Sequence, residues 1–155
     1  METPAVAIYL VKKWEGLHKK EADGLVHPYL CPAGVWTIGY GSTRDFDGAP
    51  VSKDTPPLSP EECENLMLPE LSSCVRTAIR FSPVLSLNEE ALGAIASFIY
   101  NLGPYGYYRS TLRRRINEGN WFEAQKEIQK WVWAGGRRLT GLVLRRKEES
   151  TYLYV

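Results

Sequence analysis

The chain has 155 residues, of which 44% are hydrophobic and 24% are charged, values typical of a globular domain and unlike those of a disordered chain. No apolar run is long enough to predict a membrane span, and the N-terminus lacks the charge order of a signal peptide. The three cysteines, an odd number, exclude a complete intramolecular disulfide framework.

The first predicted element is a helix close to the N-terminus. Thr3 and Pro4 are typical of an N-cap and a first helical turn, and apolar residues then recur at helical spacing to about residue 17. Glu15 falls on or beside the buried face of this helix, where burying a carboxylate is costly and needs a reason. The alternative interpretation is a surface Glu paired with Lys12 or Lys19.

A small β region is predicted next. Residues 18–28 are polar and interrupted by Gly and Pro, which predicts a loop or an irregular hairpin. The run from Tyr29 to Gly41 combines helix-breaking Gly and Pro with strand-forming residues, so it predicts a Gly-rich hairpin. Turn signals at Asp47–Gly48 and at Asp54 place the end of this β region near residue 55.

The rest of the chain is predicted to be helical. Capping-box patterns beginning at Ser59 and at Ser86 predict two helix starts, the first helix kinked at Pro69 and the second strongly apolar. The segment 101–106 interrupts the second helix. Shorter helices are predicted to begin near Ser110, Asn120 and Thr140. The helix from Asn120 is predicted to continue to the Ala134–Gly136 segment.

Two cysteines and three tryptophans of this helical part are interpreted as core residues. Cys63 and Cys74 share a predicted helix and lie about 16 Å apart along its axis, too far for a disulfide. For Trp121, Trp131 and Trp133 the alternative role is that of a platform on which sugars stack.

Charge is unevenly distributed along the chain. Residues 1–108 carry 8 Lys/Arg and 13 Asp/Glu, whereas residues 109–155 carry 11 and 5. The basic part either faces an anionic partner or neutralises the acidic part. Nucleic acid is not the expected partner, because no groove-reading or base-stacking motif accompanies Arg113–Arg115.

A set of sequence blocks carries a family resemblance over nearly the whole chain. The blocks are Trp14–Leu17, Tyr29–Gly41, Ser97–Gly103, Ser110–Leu112, Trp131–Gly136 and Gly141–Arg146. In this order and at these distances they resemble the phage-type lysozymes, the endolysin muramidases of glycoside hydrolase family 24. The resemblance implies an α+β, mainly α, lysozyme-like fold of one domain, 1–155. A small β-hairpin lobe at about 18–58 and a larger helical lobe formed by 1–17 and 59–155 would flank the active-site cleft.

The resemblance also implies a catalytic set. The family pattern of a Glu, then an Asp or Cys, then a Thr maps onto Glu15, Cys31 and Thr37. It implies hydrolysis of the β-1,4 bond between N-acetylmuramic acid and N-acetylglucosamine in bacterial peptidoglycan. Glu15 would be the general acid and Thr37 would position a water. Cys31 would either act on the sugar as the second catalytic group or only pack under the hairpin.

One spacing departs from the family. The five residues between Cys31 and Thr37 match the family pattern, whereas the interval after Glu15 is longer by about seven residues, which we place in 18–28. Glu21 is therefore a rival acid, because it lies near the usual distance from Cys31. It lacks the Glu-Gly-Leu context of Glu15, so Glu15 is preferred.

Further site residues are implied by the same resemblance. The substrate-binding set comprises Tyr40, Gly41, Tyr100 and Asn101. Asn101 would offer hydrogen bonds to an N-acetyl group, and the alternative for Tyr100 and Asn101 is a helix end and its cap. Arg145 or Arg146 is expected either to reach Glu15 or to pair with Glu149.

The implied biology is that of an endolysin acting in host cell lysis. No cofactor and no metal are expected, and the expected substrate is the glycan of peptidoglycan. We expect a monomer without nucleic-acid binding or stable membrane association, made in the host cytoplasm and dependent on a holin to reach the periplasm and cell wall. The rival functions are a lytic transglycosylase that uses Glu15 alone and a catalytically inactive wall-binding module.

Overall fold

The computed structural model describes residues 2–155. Its helices are α1 (Ala5–Glu15), α2 (Pro60–Phe81), α3 (Glu89–Leu102), α4 (Pro104–Tyr108), α5 (Thr111–Asn117), α6 (Trp121–Ile128) and α7 (Thr140–Ser150). Two antiparallel hairpins pair β1 (Tyr29–Leu30) with β2 (Trp36–Thr37) and β3 (Trp133–Ala134) with β4 (Arg137–Arg138). The predicted fold class, α+β and mainly α, is confirmed.

Two compact units divide the chain. The β-containing unit is Val11–Glu70, and the helical unit consists of the chain up to Leu10 together with Leu71–Val155. The boundaries fall inside α1 and α2, so each of these helices contributes residues to both units. The sequence predicts a β lobe at about 18–58, and the compact unit is longer because it includes the end of α1 and the first half of α2.

The segment 18–28 is an irregular hairpin, as predicted. Lys20 pairs with Val26, and the N–H of His27 donates to the carbonyl of Lys19 at 2.9 Å. Val26 is fully buried and also pairs with Leu58, just before α2. The extra residues of this chain are therefore held in the β-containing unit at two points.

The start of α2 is the predicted capping box. The N–H of Ser59 donates to Oε1 of Glu62 at 2.9 Å, and the N–H of Glu62 donates to the Ser59 hydroxyl at 3.1 Å. The helix continues through Pro69. Cys63 is fully buried, Cys74 is partly buried, and neither forms a disulfide within residues 2–155.

The predicted capping box at Ser86 is wrong. A 3₁₀ helix occupies Pro83–Leu87, and the Ser86 hydroxyl donates to the carbonyl of Pro83 at 2.8 Å within it. Asn88 is the N-cap of α3, because its side chain accepts from the N–H of Ala91 at 3.1 Å. The Ser86 hydroxyl is thus used inside the preceding turn, and Asn88 satisfies one of the free N–H groups in the first turn of α3.

The predicted long helix after Asn120 is also wrong. Asn120 is the N-cap of α6 as expected, but α6 ends at Ile128 and the β3–β4 hairpin follows. The glycines of the Ala134–Gly136 segment close this hairpin instead of ending a helix. Trp133 is consequently 61% exposed, which contradicts its interpretation as a core residue. The sequence analysis also misses the short α4, which begins at Pro104.

Helix α3 is the buried spine of the helical unit, as its apolar sequence predicts. Every residue from Ala91 to Ile99 is buried. Even so, no helix within residues 2–155 combines the length and the apolar character needed to cross a membrane.

Gly93 offers a direct test of packing along α3. An added Cβ would lie 2.9 Å from the backbone nitrogen of Ala7 and 2.9 Å from the Cβ of Val6. Gly93→Ala should therefore lower the free energy of unfolding by about 1–3 kcal/mol, although Ala is intrinsically favoured over Gly in a helix by about 1 kcal/mol. Gly141→Ala in α7 is the control, because the added Cβ would have no atom of residues 2–155 within 4 Å apart from Gly141, its chain neighbours and the nearby backbone of its own helix. Urea unfolding of both variants measures the difference, and equal changes would contradict the packing explanation.

Candidate active site

Glu15 is the last residue of α1, and its carboxylate lies against the chain at Gly41. A Cβ on Gly41 would be 3.5 Å from Oε2 of Glu15, and Gly41 has a φ of +88°, which other residues rarely adopt. The positive φ therefore favours glycine at this position, whereas the distance to Glu15 alone would admit a Cβ in ordinary contact. Lys12, one alternative partner predicted for Glu15, pairs with Glu64 at 2.9 Å.

The rival acid, Glu21, has a different environment. It is exposed, and its carboxylate lies 3.5 Å from the imidazole of His27 on the 18–28 hairpin. This places Glu21 in a solvated surface pair, whereas the carboxylate of Glu15 lies against the segment that follows β2.

The thiol of Cys31 lies in the turn that joins β1 to β2. The backbone N–H of Val35 lowers the pKa of this thiol, partial burial opposes that effect, and the N–H of Ala33 and the hydroxyl of Thr37 lower the pKa further. Converging N–H groups of a turn favour a negative charge. Cys31 therefore carries a larger thiolate fraction near neutral pH than an ordinary cysteine.

Thr37 lies next to Cys31, and the five-residue interval between them is the one expected for a hairpin. Its hydroxyl donates to the carbonyl of Val35 at 3.0 Å, and the residue is 4% exposed. A hydroxyl has one proton and two lone pairs. Thr37 can thus donate either to Val35 or to a Cys31 thiolate, and in both cases a lone pair remains to accept from another donor.

Tyr29 interacts electrostatically with both Glu15 and Cys31. No role for it is predicted from the sequence. Burial raises the pKa of its phenol, and the negative charges of Glu15 and Cys31 raise it further. The ring of His18 packs on Tyr29 with a centroid distance of 5.3 Å. Both charges act on one phenol, so Glu15 and Cys31 lie within electrostatic range of the same ring. Tyr29 pairs with Thr37 in the β1–β2 hairpin, a register that the sequence does not predict.

Tyr40 is mainly a packing residue in this structure. It is 6% exposed, and burial raises the pKa of its phenol, while the positive charge of Lys12 opposes that rise. Its role in substrate binding stays a prediction. Within residues 2–155, no cluster of three or more His, Cys, Asp or Glu side chains is arranged to hold a metal ion.

Tyr100 and Asn101 belong to the helical unit, in the last turn of α3. Gly103 is the C-cap of this helix, so the alternative role of Asn101 as a cap is wrong. Nη2 of Arg146 donates to Oδ1 of Asn101. Because a guanidinium can only donate hydrogen bonds, the amide oxygen must face Arg146, and the amide NH₂ is left to donate elsewhere.

A buried ionic cluster on α7 holds Arg146 in place. Arg146 and Glu149 are fully buried and Arg145 is 3% exposed. Glu149 accepts from Arg145 at 3.3 Å, from Arg146 at 2.5 Å and from the Ser97 hydroxyl at 2.7 Å. Nε of Arg146 donates to the carbonyl of Trp131 at 2.9 Å. The predicted pairing with Glu149 is confirmed for both arginines, and the predicted contact of either with Glu15 stays a prediction.

Comparisons with known proteins agree with this fold. The family model for phage lysozyme matches residues 12–149. An endolysin of Acyrthosiphon pisum secondary endosymbiont phage 1 is 30% identical over 150 residues, which covers 92% of this chain and 91% of that protein. A SAR-endolysin of Escherichia phage 933W is 37% identical over 130 residues, covering 79% and 72%.

The solved structure of an endolysin from Escherichia coli O157:H7 phage FAHEc1 has a TM-score of 0.81 at 25% identity, covering 99% of this chain and 93% of that one. The predicted lysozyme-like fold is confirmed by this similarity. The family match takes in Glu15, Cys31 and Thr37 together with the ionic cluster on α7. The chain therefore belongs to the phage lysozyme family.

Proposed function

We propose that the chain is an endolysin that lyses the bacterial wall by hydrolysing the β-1,4 bond between N-acetylmuramic acid and N-acetylglucosamine in peptidoglycan. Membership of the phage lysozyme family supports peptidoglycan lysis. The observation that carries the more specific proposal is the combination of Glu15 with the Cys31–Thr37 pair around Tyr29. Glu15 offers a proton for the leaving oxygen, and Cys31 offers a thiol that readily carries a negative charge. Glycoside hydrolysis requires one group of each kind.

In this mechanism Glu15 donates its proton to the glycosidic oxygen as the bond from that oxygen to C1 breaks. Positive charge develops at C1 and the ring oxygen, and the Cys31 thiolate stabilises it. A water that donates a hydrogen bond to a lone pair of the Thr37 hydroxyl adds to C1 and loses its proton to solvent, and the Glu15 carboxylate takes up a proton from solvent. The acid is thereby restored for the next cycle.

Asn101 is suited to the N-acetyl groups of the substrate. Its NH₂ is the free half of the amide, and a carbonyl is the acceptor that an N-acetyl group offers. Tyr40, Gly41 and Tyr100 remain proposed members of the substrate-binding set.

Product analysis separates hydrolysis from the rival reaction. A lytic transglycosylase closes the sugar on itself and leaves anhydro ends, whereas hydrolysis leaves reducing muramic acid ends. Mass spectrometry of digested sacculi should show reducing ends, and anhydro ends would overturn the proposal. If digestion of permeabilised cells releases nothing, the chain is instead an inactive wall-binding module.

The place of action is part of the same proposal. The substrate lies in the cell wall, so the protein acts in the periplasm after the membrane has been permeabilised. Synthesis in the host cytoplasm, dependence on a holin and a monomeric state are further predictions. Unaided export in a secretion assay would overturn the dependence on a holin.

Cys31 should be alkylated by iodoacetamide well before Cys63. Cys31 is partly exposed and the pKa of its thiol is lowered, whereas Cys63 is fully buried and burial raises the pKa of its thiol to about 11. A lowered pKa shifts the pH midpoint of alkylation below that of free cysteine, because the thiolate is the reactive form. Peptide mass mapping between pH 6 and pH 10, at roughly one-unit steps around the pKa of a free thiol, measures both rates.

The outcome also decides the role of Cys31. Loss of lysis in step with alkylation supports a chemical role, provided that Cys31→Ser abolishes the sensitivity to iodoacetamide. A midpoint at or above that of free cysteine would contradict the role assigned to the backbone N–H groups.

A further inference from the structure

The β3–β4 hairpin, Trp133–Arg138, is a closed ribbon that the proposed mechanism does not use. Its residues pair as Trp133 with Arg138 and Ala134 with Arg137. Gly135 and Gly136 form the two-residue loop with φ values of +58° and +75°, and positive φ at both positions gives the turn whose twist suits such hairpins. At the base, the N–H of Leu139 donates to the carbonyl of Val132 at 3.0 Å. The hairpin is thus a defined element and presents its side chains in a fixed register.

Its large side chains are turned to solvent and are not used within the fold. Trp133 is 61% exposed, and Arg137 and Arg138 are exposed as well. Among residues 2–155, none of these three side chains has a hydrogen bond, an ion pair or a ring contact. Trp131 shows the contrast, because its ring packs edge-on against Phe98 at 5.6 Å.

The register places an indole beside a guanidinium. Trp133 and Arg138 are directly opposite each other, so their side chains share one face of the ribbon with Cβ atoms about 4.5–5.5 Å apart. Ala134 and Arg137 share the other face, since successive residues of a strand alternate sides. One face of the hairpin therefore presents the flat apolar indole ring of Trp133 next to the planar, positively charged guanidinium of Arg138.

These two groups match the chemistry of a muramyl-peptide glycan. The flat face of an aromatic ring packs on the C–H face of a pyranose, whose hydroxyl groups stay in solvent. A guanidinium binds a carboxylate through two parallel hydrogen bonds. Peptidoglycan carries free carboxylates on peptides attached to its sugar chain, so a sugar face and a carboxylate occur close together in one ligand.

We infer that the Trp133–Arg138 hairpin is a second contact site for the peptidoglycan strand, distinct from Glu15, Cys31 and Thr37. Trp133 stacks on a sugar ring and Arg138 pairs with a carboxylate of the attached peptide. This inference rests on the proposed function, which identifies peptidoglycan as the substrate. It adds a contact to a peptide carboxylate, which Glu15, Cys31 and Thr37 do not provide.

A lipid surface is the other ligand to which tryptophan and arginine are suited, and the hairpin fits it less well. An element that enters a bilayer interface presents an apolar face at its leading edge. Here the leading edge is the Gly135–Gly136 loop, which has no apolar side chain. The hairpin carries two positive charges and no acid, which complements the carboxylates of the wall.

Sedimentation with insoluble sacculi tests the inference without requiring catalysis. All proteins carry Glu15→Gln and are full-length, so that the sacculi stay intact. Adding Trp133→Ala should weaken binding about tenfold, as for a central aromatic contact. The matched control is Phe122→Ala, another strongly exposed aromatic, at 66% exposure in α6, and it should leave binding unchanged.

Chitin separates the two contacts, because it has the sugar faces but no carboxylates. Trp133→Ala should weaken binding to both chitin and sacculi, whereas Arg138→Ala should weaken binding to sacculi alone and only at low salt. Unfolding temperatures equal to that of the Glu15→Gln parent show that neither variant acts through the fold.

Three results would overturn the inference. One is unchanged sacculus binding in both hairpin variants, and another is an equal loss in Phe122→Ala. The third is a loss of binding to anionic lipid vesicles with sacculus binding intact. Failure of the proposed function looks different, because the Glu15→Gln parent itself would then not bind sacculi, or Glu15→Gln would lyse them as fast as the unmodified protein.

Discussion

Replacing Glu15 by Gln should lower the rate of peptidoglycan lysis by at least about a hundredfold, because removal of a general acid typically costs two to four orders of magnitude. Glutamine keeps the shape of the side chain and its fit against Gly41, but it cannot deliver a proton to the leaving oxygen. Loss of turbidity of cells with a permeabilised outer membrane measures the rate. The unfolding temperature should stay close to that of the unmodified protein.

The control for this variant is Glu21→Gln. Glu21 is the rival acid by spacing, yet it is exposed and lies beside His27, so its replacement should leave lysis unchanged. Equal activity of Glu15→Gln and the unmodified protein would remove Glu15 as the acid. A loss in Glu21→Gln with activity retained in Glu15→Gln would transfer the role to the 18–28 hairpin.

Replacing Glu149 by Ala should lower the free energy of unfolding by about 3–5 kcal/mol, the usual cost of removing one partner from a buried ion pair. Glu149 is fully buried and accepts from Arg145, from Arg146 and from the Ser97 hydroxyl. Alanine would leave two buried guanidinium groups without this carboxylate. Urea unfolding measures the effect.

A surface pair provides the matched control for Glu149→Ala. Glu118 pairs with Arg115 at 3.1 Å on α5, with its side chain 52% exposed, and Glu118→Ala should change stability by less than about 1 kcal/mol. Glu149→Gln tests whether charge or shape matters, because it keeps the size of the side chain and removes its charge. If Glu149→Ala costs no more than Glu118→Ala, the cluster does not stabilise the fold as a buried pair.

Local patterns predicted the elements whose signals lie within a few residues. The capping box at Ser59 and the Asn120 cap formed where the sequence placed them, because a cap depends on contacts three residues apart. The Gly-rich hairpin predicted within Tyr29–Gly41 formed as well, as the β1–β2 pair. The irregular hairpin at 18–28 was predicted from its Gly and Pro residues, but its pairing with Leu58 was not.

Predictions failed where distant residues or competing turns decide the outcome. Ser86 and Asn88 are both residue types that cap helices well. Asn88 caps α3 because the Ser86 hydroxyl is already hydrogen-bonded within the 3₁₀ turn that begins at Pro83. Trp133 was interpreted as a core residue, whereas the loop Gly135–Gly136 closes a hairpin that exposes it.

The candidate site was predicted in part. Glu15, Cys31 and Thr37 were implied by the family resemblance, and their roles stay predictions. Tyr29 was not implied, because its position between the negative charges of Glu15 and Cys31 appears only in the structure. The burial of Arg146 could not be predicted from the sequence either. Helix α7 buries charged residues at positions where an amphipathic pattern predicts apolar ones.

The contact between Arg146 and Asn101 gives the Asn101 amide a fixed hydrogen-bond polarity. With its oxygen turned to the guanidinium, the Asn101 amide can give a hydrogen bond to a ligand but offers little to accept one. An acetylated amino sugar presents a carbonyl and fits such a group. A sugar that has lost its acetyl group presents an ammonium instead, and two donors would then face each other. Under the proposed role of Asn101 in substrate binding, the buried ionic cluster would make this position sensitive to whether the amino sugars of the wall keep their acetyl groups.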